Sequence, residues 1–369
     1  MRVLLCGGGT AGHVMPAIAI GEIIEEAFPH SVIAFAGRCD GDENRAYSES
    51  GHKLYTLDIC GLHRSLSINN IKTIFKVLKS SRMSYNIIKD FKPDLIIGTG
   101  GYVCYPLIRQ GQRLGIKTIL HESNVSPGLV TKLLQKRCDA IMLNLEGTKA
   151  HLKKCKNTVV VGNPIRSQFG KITKSAARSR IGIKDGETLI LSFGGSLGSD
   201  KLNCTVGEMI TKYTAGKHRI KHVHASGKSR FESMKLEFPN LFKESSNATI
   251  VPYIDDMPTY LTAADIAITR SGAMTVSELC RSLTPAILIP SPNVTGNHQY
   301  ANAAYLESIG AARLIEEKDV NSERLYQEIL SLISSPEIVK EMTRKMSLIK
   351  TVDTKKAIIQ TVNEVMFDQ

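Results

Sequence analysis

The sequence has no tryptophan, few aromatic residues and no long apolar run. Aromatic residues make up 6% of its 369 positions, and they are not interleaved with basic residues as in surfaces that stack on nucleic-acid bases. The net charge of +12 therefore favours an anionic lipid or a phosphorylated substrate as partner, and we expect no nucleic-acid partner. No stretch approaches the roughly 18 apolar residues of a membrane-spanning helix.

Metal-binding patterns are missing as well. The eight cysteines are scattered without a C-x-x-C pair, which is typical of free thiols in a reducing compartment. Asp40 and Asp42 form a carboxylate pair, but their polar loop offers no clear third ligand. We therefore expect chemistry that uses no metal and no cofactor.

Short apolar, β-branched runs recur along the chain at intervals that leave room for helices. After an opening strand at residues 3–5, the pattern predicts strands at 32–35, 94–97, 118–121, 140–143 and 159–161, and then at 188–193, 221–224, 248–251, 266–269 and 286–289. Helical periodicity fills most of the gaps, for example at 14–26, 128–136 and 272–280. This alternation predicts an α/β protein with parallel sheets, whose sites lie at the carboxyl ends of the strands.

The alternation starts again past mid-chain. Residues 189–203, LILSFGGSLGSDKLN, repeat the opening order of apolar strand, glycine turn and helix. A polar, basic stretch separates the two series. The sequence therefore predicts two domains, residues 1–163 and 164–344, with a basic C-terminal helix at about 345–369 that packs back on the first domain.

Three glycine turns follow apolar strands. They contain Gly7, Gly8, Gly9 and Gly12; Gly98, Gly100 and Gly101; and Gly194, Gly195 and Gly198. One such turn is weak evidence, because tight strand–helix packing also requires glycine. Three of them, each presenting backbone amides at a helix start, favour a ligand with a diphosphate. A dinucleotide site is not expected, because no acidic residue closes the second strand to bind a ribose.

His13 stands beside the first glycine turn at a helix start. A helix N-terminus disfavours the imidazolium, so the ring is a candidate general base; the alternative is a histidine that only caps its helix.

In residues 269–280, TRSGAMTVSELC, the turn at Ser271 and Gly272 suits phosphates, and Glu278 lies where a carboxylate can bind a ribose diol. Short polar groups at 297–299 suit sugar hydroxyls, so together these segments predict a nucleotide-sugar site.

Residues 62–93 carry seven basic side chains against one acidic residue, Asp90. Apolar residues including Phe75 can share one helix face beside Lys72, Lys76 and Lys79. This pattern predicts docking to an anionic membrane surface, and the alternative is a core-packing helix with a solvated basic face.

With these residues in place, the sequence resembles the MurG family of glycosyltransferases. The resemblance runs nearly end to end and includes GGGTAGH, GTGGYVCYP, HESN, GNPIR, GGSLG, YIDDMPTYLTAADIAITRSGAMTVSE and NHQYANA. It implies the GT-B fold, in which two Rossmann-like domains with parallel sheets face each other across a cleft. The donor, UDP-N-acetylglucosamine (UDP-GlcNAc), would be bound largely by the second domain.

The resemblance also assigns roles to residues. The donor-binding set would be Thr10, Ala11, Gly12, Asn124, Arg166, Ser196, Ile254, Ser271, Gly272, Ala273, Met274, Thr275, Glu278 and Gln299. In this set Ile254 would meet the uracil, Glu278 the ribose and Gln299 the GlcNAc hydroxyls. The acceptor's pyrophosphate would face the loops of Gly8, Gly9, Gly100, Gly101 and Tyr102.

The implied reaction is an inverting, metal-independent transfer of GlcNAc to lipid I, which forms lipid II for peptidoglycan synthesis, with His13 as base. The implied location is the cytoplasmic face of the bacterial plasma membrane, with the protein bound peripherally and with cell-wall and division proteins as further partners. Alternatives are a related lipid glycosyltransferase, a UDP-GlcNAc 2-epimerase on the same fold and a non-catalytic nucleotide-sugar sensor or membrane scaffold.

Overall fold

Two parallel β-sheets, each flanked by helices, form the framework of the chain. The computed structural model describes residues 1–39, 44–59, 69–166, 168–195, 198–213, 219–243, 247–349 and 352–367. The chain divides into two compact units, one comprising Met1–Pro164 with Val352–Gln369 and the other Ile165–Thr351.

The first unit contains a seven-stranded sheet of order β3-β2-β1-β4-β5-β6-β7. Its elements are β1 (Arg2–Gly7), α1 (Ala11–Ala27), β2 (Val32–Arg38), α2 (Asn44–Glu49), β3 (Lys53–Leu57), α3 (Asn69–Phe91), β4 (Leu95–Gly100), α4 (Cys104–Arg113), β5 (Lys117–Glu122), α5 (Leu129–Leu134), β6 (Ala140–Leu143) and β7 (Thr158–Val160).

The second unit contains a six-stranded sheet of order β10-β9-β8-β11-β12-β13. Its elements are α6 (Lys174–Arg180), β8 (Thr188–Phe193), α7 (Asp200–Tyr213), β9 (Ile220–Ala225), α8 (Phe231–Glu237), β10 (Ala248–Val251), α9 (Met257–Ala263), β11 (Ile266–Thr269), α10 (Ala273–Ser282), β12 (Ala286–Leu288), α11 (His298–Ser308), β13 (Ala312–Leu314), α12 (Ser322–Ser334) and α13 (Pro336–Leu348). The last helix, α14 (Thr354–Met366), belongs to the first unit.

Each sheet buries apolar side chains on both faces, as parallel sheets require. In the first unit one cluster joins β1 and β4 to α1 and α14, and Ile358 and Val362 of α14 are fully buried in it. A second cluster on the other face includes residues of α3, α4 and α5. The apolar core of the first unit is therefore completed by the last helix of the chain.

Both sheets reverse their strand order at one point. In the first unit the chain runs outward from β1 to β3 and returns to place β4 beside β1; in the second, β11 returns to the side of β8. Ligands of open α/β sheets bind at such switch points, outside the carboxyl ends of the strands. The turns after β1, β4, β8 and β11 are the glycine-containing segments that the sequence analysis singled out.

The predicted strands are all present, with ends shifted by a few residues, and two strands were missed. β3 lies at a sheet edge with mostly exposed or half-buried residues, and β13 is three residues long, so neither has an apolar run. The helix predicted at 128–136 is α5, which ends at Leu134 and passes into a short 3-10 turn.

Candidate functional site

The glycine turns after β1 and β4 are in direct backbone contact. The amide of Gly8 donates to the carbonyl oxygen of Gly100 at 3.3 Å. Gly101 has a φ of +84°, and a Cβ at this position would lie 2.1 Å from the carbonyl oxygen of Gly8. Gly9 and Gly100 also have positive φ. This pair of turns, with Tyr102 half-buried behind it, is what the sequence analysis assigned to the acceptor pyrophosphate.

His13 lies in the first turn of α1, with its ring against Gly100. Its Nδ1 is 3.1 Å from the carbonyl oxygen of Gly8 and 3.3 Å from Oγ1 of Thr10. Because a carbonyl oxygen only accepts, Nδ1 carries the proton in the neutral ring, and Nε2 is the basic nitrogen. A Cβ on Gly100 would lie 2.8 Å from Nε2, so glycine is required for the ring to occupy this place.

Three further side chains bond backbone oxygens in and beside this turn, and the sequence assigned them no role. The hydroxyl of Thr99 donates to the carbonyl oxygen of His13 at 2.7 Å. The thiol of Cys104 lies 3.0 Å from the carbonyl oxygen of Gly100, and the hydroxyl of Tyr47 donates to Gly7 at 3.0 Å. Thr99 and Cys104 lie in the GTGGYVCYP segment, but the bonds made by Thr99 and Tyr47 join residues 86 and 40 positions apart, and no local pattern shows such bonds.

Asn124 of the HESN segment is positioned by its neighbour Glu122. The buried Glu122 carboxylate accepts from the backbone amides of Asn124 and Gly128, at 3.1 and 3.0 Å, and from the hydroxyl of Thr131 at 2.7 Å. His121 is buried and bonds the carbonyl oxygen of Gly162 through Nε2, and burial lowers its pKa. Glu122 therefore orders the loop, in which Asn124 is half-buried.

In the second unit, the start of α10 forms an amide-lined turn. Gly272 is the extended N-cap, and Ala273, Met274 and Thr275 form the first turn, whose N–H groups precede the bond from the amide of Val276 to the carbonyl oxygen of Gly272. The buried hydroxyl of Ser271 donates to the carbonyl oxygen of Gln299 at 2.8 Å. The partial positive charge at the start of α10 suits an anion such as a diphosphate.

Glu278 lies two turns into α10. Burial raises its pKa to about 7, and the nearby Arg166 opposes part of this shift. Arg166 itself donates from Nη1 to the carbonyl oxygen of Asp255 at 2.7 Å, next to the buried Ile254. The geometry therefore associates Arg166, Ile254 and Glu278 within one unit, as the nucleotide-sugar prediction requires.

Gln299 is only partly available to a ligand. Its side-chain oxygen accepts from the amide of Ser291 at 2.9 Å, so a sugar hydroxyl would be bound through its amide nitrogen.

Arg270, to which the sequence assigned no role, bonds the carbonyl oxygen of Ile289 at 3.1 Å and the hydroxyl of Ser199 at 2.6 Å, and it pairs with Glu317. It thereby joins the turns that follow β8, β11 and β12.

Some predicted residues lie outside what the structure describes. Ser196 is one, as are the side chains of Ala11, Lys72, Phe75 and Lys76. Lys79 on α3 is exposed and forms a 2.9 Å ion pair with Asp58.

Across the described ranges, no three His, Cys, Asp or Glu side chains are grouped to hold a metal ion. In the same ranges, every helix is too short or too polar to cross a bilayer.

Comparison with known proteins identifies the class of enzyme to which this chain belongs. The glycosyltransferase family 28 N-terminal domain matches residues 3–143, and the family's C-terminal domain matches residues 189–361. A crystal structure of MurG from Acinetobacter baumannii superposes with a TM-score of 0.82 at 23% identity, covering 98% of this chain and 99% of that one. The protein is a glycosyltransferase with the GT-B fold.

Curated relatives narrow the assignment. The UDP-N-acetylglucosamine–N-acetylmuramyl-(pentapeptide) pyrophosphoryl-undecaprenol N-acetylglucosamine transferase of Caldanaerobacter subterraneus subsp. tengcongensis is 37% identical over 367 residues, 99% of this chain and 100% of the relative. The enzyme of the same name from Acetivibrio thermocellus is 35% identical over 99% of this chain and 98% of its own length. The chain belongs to the MurG family.

A UDP-GlcNAc 2-epimerase from Neisseria meningitidis, bound to UDP-GlcNAc, also shares the fold, with a TM-score of 0.66 at 15% identity and coverage of 99% of this chain and 100% of that one. This similarity concerns the fold alone. The epimerase alternative is therefore not favoured over the transferase.

The raised pKa of Glu278 predicts that this side chain lowers the free energy of unfolding above neutral pH, although we expect it to contribute to UDP binding. The folded state holds the Glu278 proton more tightly than the unfolded chain, so the free energy of unfolding falls as the pH rises from about 4.5 to 7. We expect Glu278→Gln to raise the free energy of unfolding at pH 8 by about 1–3 kcal/mol and to weaken UDP binding at least tenfold. Urea unfolding at pH 5 and pH 8 and calorimetry with UDP measure the two effects.

Glu337→Gln, at an exposed position paired with Lys340, is the matched control and should change neither quantity. Undiminished UDP binding by Glu278→Gln would contradict a ligand role for this carboxylate.

Proposed function

We propose that this protein transfers GlcNAc from UDP-GlcNAc to the C4 hydroxyl of the N-acetylmuramoyl unit of lipid I, which yields lipid II for peptidoglycan synthesis. The observation that carries the proposal is the full-length similarity to transferases of that name. It is supported by the position of His13 and of the α10 turn, each at the switch point of its own sheet.

In this proposal His13 is the general base. Nε2 takes the proton of the acceptor C4 hydroxyl, while Nδ1–H stays bonded to the Gly8 carbonyl oxygen. The hydroxyl oxygen forms a bond to the anomeric carbon of GlcNAc as the bond from that carbon to the UDP oxygen breaks, which inverts the configuration. General-base catalysis of this kind contributes about 10²–10⁴-fold.

The departing UDP takes up negative charge on its diphosphate. The N–H groups of Ala273 to Thr275 and the guanidinium of Arg166 would stabilise that charge, because they are oriented before the reaction begins. We propose that these groups do so without a metal ion, and that Glu278 binds the ribose diol while Gln299 donates to a GlcNAc hydroxyl.

The test of this function is transfer of labelled GlcNAc from UDP-GlcNAc to a short-chain lipid I analogue in EDTA. We expect a disaccharide product and an equal amount of UDP. Release of UDP without the disaccharide would favour the epimerase or another acceptor, and binding without any turnover would favour a sensor. Activity that EDTA abolishes and Mg²⁺ restores would contradict metal independence.

Replacing His13 tests the assignment of the base. His13→Ala is expected to lower kcat at least a hundredfold and to leave the Kd for UDP-GlcNAc within about threefold, because the base acts on the acceptor. His151→Ala, at an exposed position of the same unit, is the control. Near-normal turnover by His13→Ala would remove the ring from this role.

We propose that the enzyme acts as a peripheral protein at the cytoplasmic face of the bacterial plasma membrane, where the basic α3 segment docks. Cell-wall and division proteins remain predicted partners. α3 packs near the β3 edge of its sheet, whereas the loop between β6 and β7 lies at the opposite edge.

Charge reversal separates docking from catalysis. Replacing Lys72, Lys76 and Lys79 together by glutamate should weaken binding to phosphatidylglycerol vesicles at least tenfold and spare activity on a water-soluble acceptor, because the lost attraction acts only at an anionic surface. Lys153, Lys154 and Lys156, which lie between β6 and β7, give a control with the same charge change. Equal loss of vesicle binding in the two triple variants would contradict a docking face on α3.

A further inference from the structure

A fully buried chain of polar side chains lies beneath the glycine turn that follows β8. Ser192 of β8 contacts two histidines of β9, with its hydroxyl 2.6 Å from Nε2 of His222 and 2.7 Å from Nδ1 of His224. His224 continues through Nε2 to the side-chain oxygen of Asn203 on α7, at 3.1 Å. The side-chain nitrogen of Asn203 donates to the carbonyl oxygen of Ser226 at 2.9 Å.

The carbonyl oxygen of Ser226, at the end of this series of side chains, fixes the direction of every hydrogen bond in the series. A carbonyl oxygen only accepts, so Asn203 donates to Ser226 with its amide nitrogen and accepts from His224 with its oxygen. Nε2 of His224 therefore carries the proton, and its Nδ1 accepts from the hydroxyl of Ser192. The hydroxyl oxygen in turn accepts from Nε2–H of His222.

Both rings are neutral at physiological pH. Burial lowers the pKa of His224 to about 3 and that of His222 well below its ordinary value. A neutral, one-directional chain of this kind has a single arrangement of protons, so it holds its end point in one position.

That end point supports the glycine turn. Gly198 has a φ of +77°, and a Cβ at this position would lie 2.1 Å from the carbonyl oxygen of Ser226. The backbone amide of Asn203 also donates to the carbonyl oxygen of Ser199 at 2.8 Å. Asn203 thus contacts the turn in two ways. Its backbone amide bonds Ser199 at the end of the turn, and its side chain bonds the carbonyl oxygen of Ser226, on which Gly198 packs.

We propose that the hydrogen-bonded side chains from His222 through Ser192 and His224 to Asn203 position Gly198 and Ser199, at the end of the glycine turn, for the diphosphate of the donor, and that Asn203 is the critical positioning residue. The inference rests on the proposed function and extends its diphosphate site from the start of α10 to this turn, because Arg270, which directly precedes the α10 turn, bonds the hydroxyl of Ser199 at 2.6 Å. None of the four side chains is assigned a contact with the donor; they act through Ser226 and Gly198. Their effect belongs to donor affinity, because the base and the acceptor loops are in the other unit.

Asn203→Asp is the sharpest test, because it keeps the shape of the side chain and the acceptor for His224. Once ionised, the new carboxylate has no proton to donate to the carbonyl oxygen of Ser226, so the support of Gly198 is lost. The variant is therefore measured at pH 7 and pH 9, because burial raises the pKa of a carboxyl. We expect the KM for UDP-GlcNAc and the Kd for UDP to rise at least tenfold while kcat changes less than threefold.

Thr284→Val provides a control for destabilisation alone. Thr284 is buried in the same unit and donates to the carbonyl oxygen of Leu261 at 2.7 Å, away from the turn. It should lower the Tm without changing the KM for the donor. A KM within twofold of the wild type in Asn203→Asp, at an equal loss of Tm, would overturn the proposal.

Ser192→Ala decides the matter if Asn203→Asp does not fold. It removes the bridge between the two histidines and leaves Asn203 in place, so the donor KM should rise about three- to tenfold. An unchanged KM would show that the buried chain does not position the turn. The Kd for UDP separates this proposal from the assigned reaction: a wild-type protein that binds UDP without transferring GlcNAc would contradict the proposed function, and the variants would still test the positioning role.

Discussion

Contact between backbone atoms of neighbouring turns is the constraint on which both candidate sites depend. Gly101 packs on the carbonyl oxygen of Gly8 in the first unit, and Gly198 packs on that of Ser226 in the second. A Cβ at either position would lie 2.1 Å from an oxygen atom, and both glycines have positive φ, so no other residue fits without moving the turn. The turns of Gly8, Gly101 and Gly198 follow strands at the switch points of their sheets, which is where ligands of open α/β sheets bind.

Much of the fold followed from local patterns. Buried parallel strands are continuous apolar runs, so the strands from β1 to β12 were recognisable except for the half-buried edge strand β3. The glycine turns, His13 and the α10 segment were also recognisable, because three glycine clusters directly follow apolar strands at helix starts. The supporting bonds were not. Thr99, Glu122, Arg270 and Asn203 act through hydrogen bonds between residues 6 to 86 positions apart, and no local pattern records such pairs.

In the second unit, burial shifts the pKa values of Glu278 and of two histidines in opposite directions. Glu278 holds a carboxyl whose pKa burial raises to about 7, whereas the buried histidines beneath the glycine turn have theirs lowered. The first arrangement disfavours the folded state above neutral pH and is suited to a group that awaits hydroxyl partners. The second favours neutral rings and a fixed set of hydrogen bonds. The second unit thus combines a half-buried carboxyl, which we propose as a ligand for the ribose, with a neutral hydrogen-bonded scaffold.

The chain passes from one unit to the other twice, near residues 164 and 351, because α14 completes the apolar core beside α1. During synthesis, the second unit has all of its strands and helices before the first has its last helix. Ile358 and Val362 reach their places only after more than three hundred residues have emerged, so the opening strands and α1 stay partly uncovered until then. The first unit, although its synthesis begins first, therefore completes its apolar core last. A truncated chain that lacks α14 would leave an apolar face of the first unit exposed to aggregation or to chaperones.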